Sequence, residues 1–158
     1  MITSAFLAGN GDISEPLMIR REVFIEEQGC PESEDRDGMD EAALHLVVYV
    51  DEIPAATGRI WHDGSVFRIG RLAVRKQYRG QLIGDLALRL LLYKAFNSGA
   101  EELFVNAQVY IKEMYKKFGF KETGEEFMDA GLPHIPMSLK KGDVVYPSAC
   151  GHNNRETK

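Results

Sequence analysis

The sequence predicts an α+β domain with a mixed, mostly antiparallel central sheet of about seven strands, flanked by three to four helices. Two observations carry this prediction. Residues 44–50, 55–62 and 66–74 are strand-like segments joined by short turns, which is the pattern of an antiparallel meander. An amphipathic helix then separates the third of these segments from a further strand at 103–107, and this type of crossover makes its two strands parallel neighbours.

The predicted elements before the meander are a strand and a helix. Residues 2–8 form the strand, which a glycine-rich turn ends. Ser14 is predicted to cap a helix over residues 15–28, because a serine hydroxyl accepts the free N–H groups of a first turn, and Gly29 is the stop of that helix. The run at 44–50 is almost continuously apolar, which is typical of a central strand buried on both faces.

The second half of the chain alternates helices and strands, as judged from apolar spacing and glycine stops. The predicted elements are a helix from about 83 to 99, a strand at 103–107, a short helix around Tyr115, and strands at 123–128 and 134–139. We therefore expect one domain over residues 1–142 and a polar, poorly ordered tail over residues 143–158.

Composition and charge exclude several classes of partner. The chain has 158 residues and a net charge of −5 without a basic tract, so nucleic acid is not an expected partner. No apolar run reaches the roughly 20 residues that span a bilayer, and the N-terminus lacks a signal-peptide pattern, so no membrane partner and a cytoplasmic location are expected. Cys30 and Cys150 are expected to be reduced thiols, no metal site is predicted, and the chain is expected to be a monomer or a homodimer.

Residues 75–84 form a basic, glycine-containing turn between a strand and a helix. The first N–H groups of a helix have no intrahelical acceptor, and the helix dipole adds partial positive charge at the same end. Arg75, Lys76 and Arg79 add full charges. The turn therefore predicts a site for a ligand that carries phosphates. A P-loop is excluded, because Gly84 is not followed by lysine.

This turn resembles motif A of the GNAT superfamily of N-acetyltransferases, in which Arg/Gln-x-x-Gly-x-Gly/Ala binds the pyrophosphate of acetyl-CoA. Arg79 and Gly84 match the ends of that pattern. Leu82 stands where the family usually has its middle glycine, so we expect Leu82 to have a negative φ and a Cβ that points away from the pyrophosphate. The resemblance implies cofactor contacts from Arg79, Gly80, Gln81, Leu82, Ile83, Gly84 and Asp85.

A second stretch, Tyr115 to Phe120, is similar to the Tyr-x-x-x-Gly-Phe of GNAT motif B. Gln108, seven residues before the tyrosine, stands where the family often has an asparagine that contacts the pantetheine arm. The resemblance therefore implies further cofactor contacts from Leu72, Ala73, Val74, Asn106, Gln108 and Tyr115.

Tyr115 is the candidate general acid. The thiolate of coenzyme A is best protonated as it departs, and a phenol with a pKa of about 10 is matched to that thiol. The alternative is a core tyrosine that packs against Phe118 or Phe120.

His134 is the candidate base. The segment Gly131-Leu132-Pro133-His134-Ile135-Pro136-Met137 resembles the ending of the ElaA-like and YjcF-like bacterial subgroup, in which this histidine is assigned as the base that deprotonates the acceptor amine. Positioning of the acceptor and a purely structural role remain alternatives for His134. Glu26 or Glu27, acting through water near the acceptor site, is the runner-up, whereas His45 is expected to be structural and His62 exposed.

Two features bear on the acceptor. The resemblance to this subgroup implies that Arg71 reaches a carboxylate or phosphonate of the acceptor, for which its bidentate guanidinium is suited, and the alternative is an ion pair with an acidic neighbour. The acid-rich loop at 30–41 is expected to be solvated and mobile, with an acidic rim for a cationic acceptor as the alternative. An amino-acid-like amine that carries both charges reconciles the two.

The resemblance implies an acetyl-CoA-dependent N-acetyltransferase that transfers directly to the primary amine of a small molecule, with no metal. No cysteine is expected where a covalent acetyl-enzyme needs one, since Cys30 lies on a loop and Cys150 in the tail. The alternatives are an acyl-CoA-binding module with little transfer activity, which Leu82 favours, and acetylation of a protein or peptide amine.

Overall fold

A computed structural model describes residues 1–148 of the chain. The strands are β1 (Ile2–Ala8), β2 (Leu44–Val50), β3 (Ile53–His62), β4 (Phe67–Val74), β5 (Glu102–Gln108), β6 (Lys121–Glu122), β7 (Phe127–Asp129) and β8 (Leu132–Lys140). They form one sheet of eight strands in the order β1-β2-β3-β4-β5-β8-β6, with β7 paired to β8. The predicted α+β class and the mostly antiparallel pairing are confirmed.

Helices cover both faces of the sheet. They are α1 (Ser14–Arg20), which continues as a π-helix over Arg21–Glu27, α2 (Glu32–Asp35), α3 (Ile83–Asn97) and α4 (Lys112–Lys117). Ile19 and Val23 pack on Val47 and Ala73 on one face, whereas α3 and α4 bury the larger apolar cluster on the other. Within residues 1–148, no helix is long and apolar enough to cross a membrane.

The predicted parallel pairing of β4 with β5 is confirmed, but the two strands are paired only near their amino-terminal ends. Phe67 pairs with Leu103 and Arg68 pairs with Phe104, and the ladder ends there. The carboxyl-terminal half of β4 therefore has unpaired backbone groups on the side that faces β5. The sheet is open at this point.

A β-bulge bends β4 at the same place. Two steps along β3, from Thr57 to Arg59, are matched by three steps along β4, from Ala73 to Gly70. Arg71, inside the bulge, has a φ of 49°, a left-handed conformation that a non-glycine residue adopts only at a local cost. Bulges re-aim side chains and end strand pairing, and this bulge lies beside the opening between β4 and β5.

The first helix differs from its prediction in its cap and its winding. The prediction that Ser14 caps this helix is wrong. Ile13 holds the cap position and Ser14 is the first helical residue, whose N–H donates to the Asp12 carboxylate at 3.0 Å. The second half is a π-helix, in which the Gln28 N–H bonds to the carbonyl of Val23. This wider winding, which is frequent at functional sites, lies directly beside the opening in the sheet.

The single strand predicted over residues 123–128 is wrong. β6 and β7 replace it, and they pair with separate parts of β8. The Thr123 N–H bonds to the carbonyl of Pro136 at 2.9 Å, but Pro136 has no N–H to return, so the ladder stops. This break gives the sheet eight strands instead of about seven.

The prediction of a solvated, mobile loop is wrong for the part of residues 30–41 that carries Asp35, Asp37 and Asp40. Arg20, 1% exposed, donates to Asp35 at 3.0 Å and to Asp40 at 2.7 Å. Arg59, 0% exposed, donates to Asp37 at 2.6 Å and to Asp40 at 2.9 Å. Burial alone raises the pKa of Asp37, but the hydrogen bonds and charge of Arg59 outweigh burial and lower that pKa to about 2. The loop is therefore anchored to the sheet by two buried guanidinium groups.

The beginning of the predicted tail packs on the domain. The Val145 N–H donates to the carbonyl of Phe118 at 2.9 Å, and the ring of Tyr146 meets that of Phe118 edge-on. Arg89 also donates to the carbonyl of Pro147. The rest of the predicted tail, residues 149–158 with Cys150, lies outside the described residues.

Candidate active site

A cavity of about 550 Å³ fills the opening between β4 and β5. The π-helix, the end of β4, the turn before α3, β5 and α4 contribute its walls. A smaller cavity of about 320 Å³ adjoins it. The wall residues that both cavities share, here called the junction, are Glu34, Gly70, Arg71, Asn106, Asp129 and His134.

The second half of the basic turn lies on the wall of the larger cavity, with Arg79 as its charged residue there, whereas Arg75 and Lys76 are not on that wall and Arg75 pairs with Glu22 at 2.8 Å. Gly80 has a φ of 77° there, which glycine adopts freely. The first helical hydrogen bond of α3 runs from the Leu86 N–H to the carbonyl of Leu82 at 3.0 Å. The N–H groups of Ile83, Gly84 and Asp85 therefore have no intrahelical acceptor, and all three residues line the cavity.

The expected negative φ of Leu82 is wrong. Its φ is 64°, so Leu82 caps α3 in the left-handed conformation that the glycine of the family pattern adopts freely. The side chain is 57% exposed and does not fill the turn. The departure from glycine therefore leaves the course of the backbone intact, at a strain cost on the order of 1–2 kcal/mol.

We expect Leu82→Gly to raise the free energy of unfolding by about 0.5–1 kcal/mol. The substitution removes the left-handed strain, and the greater freedom of glycine in the unfolded chain offsets part of the gain. Urea unfolding of both proteins measures the difference. Ile83→Gly, at a residue that is 3% exposed, is the contrasting variant and should lose at least about 2 kcal/mol. A destabilised Leu82→Gly protein contradicts the assignment of strain.

Arg79 lines the larger cavity, and its guanidinium is held by Glu27. It donates to the two Glu27 oxygens at 2.6 and 2.8 Å, and its Nε donates to the carbonyl of Val74 at 2.9 Å. The hydrogen bonds from Arg79 outweigh burial and lower the pKa of Glu27. Neither Glu27 nor Glu26 is among the residues that line the cavity, so the structure does not place the runner-up bases beside an acceptor.

The residues predicted to contact the cofactor come together, with one exception. Gln81 is not on the cavity wall, and its side chain donates to the carbonyl of Gln77 at 3.3 Å. The predicted residues that line the larger cavity are Leu72, Ala73, Val74, Arg79, Gly80, Leu82, Ile83, Gly84, Asp85, Asn106, Gln108 and Tyr115.

Tyr115 reaches the cavity from α4 although the residue is only 3% exposed. Its ring meets that of Phe120 edge-on, with centroids 5.4 Å apart, so a packing role accompanies its place in the cavity wall. Burial, with a smaller contribution from Tyr110, raises the pKa of Tyr115 further above that of an ordinary phenol. The hydroxyl therefore stays protonated and can donate a hydrogen bond, but the raised pKa removes the expected match between an ordinary phenol and the thiol of coenzyme A.

His134 reaches the junction from β8 in a fixed orientation. Its Nδ1 lies 2.8 Å from the carbonyl oxygen of Leu132, and Phe127 stacks on the ring with centroids 5.8 Å apart. A carbonyl only accepts, so Nδ1 carries the proton and Nε2 is left as the acceptor. Within residues 1–148 no group bonds to Nε2, so the imidazole can take up a proton from a ligand.

Comparison with known proteins gives the family. Residues 11–141 match the family described as Acetyltransferase (GNAT) domain. The chain belongs to the GNAT acetyltransferases. YjcF of Bacillus subtilis, named an uncharacterized N-acetyltransferase, is 33% identical over 135 residues, which cover 84% of this chain and 96% of YjcF.

Solved structures show the same fold. Escherichia coli ElaA has a TM-score of 0.80 and 27% identity, covering 89% of this chain and 100% of ElaA. An acyl-CoA N-acyltransferase from Pseudomonas aeruginosa has a TM-score of 0.79 and 24% identity, covering 87% and 99%. The fold is the GNAT fold, the predicted likeness to ElaA and YjcF is confirmed, and the family supports acyl transfer from coenzyme A to an amine.

In this GNAT acetyltransferase the guanidinium of Arg71 is engaged by the protein itself. It donates to the carbonyl of Asp35 at 3.1 Å, to the carbonyl of Glu34 at 3.3 Å and to the carboxylate of Asp37 at 3.3 Å. The contacts of Arg71 therefore agree with the second of the two predicted roles, an ion pair with an acidic neighbour. Binding of an acceptor carboxylate would have to compete with these partners.

Gln28 and Cys30 are among the side chains of the GNAT cavity that the sequence did not mark as site residues. Gln28 lines the wall and pairs with Gln108, whose Nε2 donates to the Gln28 amide oxygen at 3.1 Å. The sequence feature that could have indicated Gln28 is its position four residues after Phe24, which places both side chains on one face of the helix. Cys30, expected away from the chemistry, also lines the cavity. Burial, reinforced by the charge of Asp35, raises the pKa of its thiol, which makes Cys30 a poor nucleophile.

The other described histidines lie away from the cavity, as predicted. His45 is 0% exposed, its Nε2 lies 3.0 Å from the carbonyl of Asp40, and burial lowers its pKa. His62 is exposed, and its Nδ1 accepts the Gly64 N–H at 3.1 Å. Across residues 1–148, no three His, Cys, Asp or Glu side chains are grouped as metal ligands.

Proposed function

We propose that the protein transfers the acetyl group of acetyl-CoA directly to the primary amine of a small molecule. The observation that carries this proposal is that Arg79 and Gly80 of the basic turn, Tyr115 and His134 all line one cavity. The free N–H groups at the start of α3 suit a pyrophosphate. The unpaired edge of β4 over residues 72–74 suits the amides of a pantetheine arm.

His134 and Tyr115 move the two protons that the reaction requires. Acetyl-CoA supplies the acetyl group as an activated thioester. As the neutral amine forms the new C–N bond, Nε2 of His134 accepts the proton that the nitrogen sheds. As the C–S bond breaks, the hydroxyl of Tyr115 donates its proton to the departing sulfur. Exchange with solvent then restores both side chains.

Two observations support direct transfer to a small acceptor. The thiol of Cys30, which a covalent acetyl-enzyme would need, has a raised pKa and donates to the carbonyl of Pro31 at 3.3 Å. The smaller cavity of about 320 Å³ is of the size that holds a small ligand. The second candidate is an acyl-CoA-binding module with little transfer; Leu82 in place of glycine is its sequence argument, which the left-handed φ of Leu82 weakens.

A thiol-release assay separates these functions. The protein and acetyl-CoA are incubated with amino acids, polyamines, aminoglycosides or a lysine peptide, and propionyl-CoA is run in parallel. We expect release with at least one class of small amine. No release with any amine, together with a melting temperature that acetyl-CoA raises, supports the binding module. Release that is fastest with the lysine peptide moves the acceptor to protein amines.

We expect Tyr115→Phe to lower kcat by about 10²-fold, because the phenylalanine ring keeps the packing but has no proton to donate. Since the pKa of Tyr115 is raised, ionisation of this phenol should not reduce the wild-type rate up to about pH 10. Steady-state thiol release measures both effects. Tyr93→Phe, at a tyrosine that is 63% exposed on α3, is the control and should leave kcat unchanged. Full activity of Tyr115→Phe would remove the general-acid role.

A further inference from the structure

Given the acetyl transfer proposed above, we infer that the acceptor is a short diamine or polyamine-like alkylamine, whose second ammonium group binds between Glu34 and Asp129. Both residues line the larger and the smaller cavity. The reacting amine lies at His134, which belongs to the same junction.

The two carboxylates have no cationic partner among residues 1–148, whereas the arginines beside them are already paired. Arg71 donates to the carboxylate of Asp37 at 3.3 Å as well as to two backbone carbonyls. Arg68 donates to the carboxylate of Asp63 at 2.5 Å. The charge that the junction offers to a ligand is therefore negative, and it attracts cations.

The buried imidazole provides an independent indication of the same ligand chemistry. His134 is 9% exposed, its Nδ1 is bonded to Leu132, and its Nε2 has no partner in the described part of the chain. An amine or ammonium group brings hydrogen-bond donors to this nitrogen, whereas a carboxylate brings only acceptors. An acceptor that carried a carboxylate at this end would face the negative charges of Glu34 and Asp129, and the donors left to it in the junction are Arg71, already bonded to Asp35 and Asp37, and the amide of Asn106.

Strand geometry gives the spacing between the two ends of the ligand. Phe127 stacks on His134, and Asp129 is two residues further along β7, on the same face of the strand. Two residues of a strand span about 7 Å. This backbone spacing is of the order of the separation between the two nitrogens in a short alkyl diamine, which is the ligand length that we propose for a molecule in contact with both His134 and Asp129.

Calorimetric titration into the CoA-saturated protein tests the inference without requiring turnover. The probes are putrescine, butylamine and γ-aminobutyrate, which have the same chain length and end in an ammonium, a methyl and a carboxylate group. We expect putrescine to bind about five- to tenfold more tightly than butylamine, with γ-aminobutyrate weakest. Added salt should reduce the difference, since the charges are exposed.

Variants locate the effect. Glu34→Gln and Asp129→Asn should each weaken putrescine binding about two- to fivefold and leave butylamine unchanged. Glu126→Gln removes an exposed carboxylate that lies outside both cavities and should alter neither affinity. Equal affinity for putrescine and butylamine, a preference for γ-aminobutyrate, or no effect of either substitution overturns the inference.

The thiol-release assay, run on the same samples, keeps the two proposals separate. Putrescine that binds through Glu34 and Asp129, while no amine of the panel releases thiol, supports the cation site and refutes the acetyl transfer. Release with butylamine that equals release with putrescine supports the transfer and refutes the second ammonium site.

Discussion

Replacing His134 by glutamine is expected to lower kcat for amine acetylation by about 10²–10³-fold. Glutamine is similar in length and still forms hydrogen bonds, but its amide does not take up a proton near neutral pH. The KM for acetyl-CoA should change little, because His134 does not belong to the basic turn at residues 75–84. Steady-state thiol release at saturating amine measures both constants.

His62→Gln is the matched control, because His62 is exposed and lies outside the cavity. Its kcat should stay within about twofold of the wild type, as is usual for a surface change. If His134→Gln retains more than a third of the wild-type kcat, His134 is not the base, and water takes over that role.

Replacing Arg20 by leucine is expected to lower the free energy of unfolding by about 3–5 kcal/mol. The side chains of Arg20 and Asp35 are 1% and 2% exposed, so the substitution leaves a buried carboxylate without its main partner. Asp40 loses its 2.7 Å contact with Arg20 at the same time. Urea unfolding of the two proteins measures the loss.

Arg21→Leu provides a control at the next residue. Arg21 and its partner Glu32 are 49% and 53% exposed, so this ion pair contributes less than about 1 kcal/mol. The two variants remove the same charge but differ in burial and in the number of carboxylates that lose a partner, two for Arg20 and one for Arg21. Equal losses in both would contradict the view that buried ion pairs anchor the loop that carries Asp35 and Asp40.

Much of the fold could be predicted from the sequence because its signals are local. Turn residues such as Asp63 and Gly64 lie between apolar runs, and these fix the antiparallel meander. The crossover through α3 fixes the parallel pair. The break between β6 and β7 depends on Pro136, a residue on another strand, and no local pattern reports it.

The acidic loop shows why local reasoning fails at long range. Asp35, Asp37 and Asp40 have the composition of a solvated segment, but their partners Arg20 and Arg59 lie 15 to 22 residues away. An arginine in a strand or helix does not reveal from sequence that it is buried. The contacts that remove the loop from solvent therefore become visible only in the folded chain.

The candidate site was predicted in part. Tyr115 and His134 were marked through a family resemblance, and both lie on the wall of one cavity. The left-handed φ of Leu82 was not predicted, because a negative φ is the default for a leucine. Cys30 and Asp129 lie on loop and edge elements whose position depends on tertiary packing, so spacing along the chain could not bring them to the cavity.

The most direct test of the account uses acetyl-CoA that carries an isotopic label in its acetyl group. The protein is incubated with this substrate and putrescine, and mass spectrometry follows the amine and the intact protein. Direct transfer predicts labelled acetyl-putrescine and an unchanged protein mass. Label on the protein at Cys30, or label recovered only as free acetate, would contradict it.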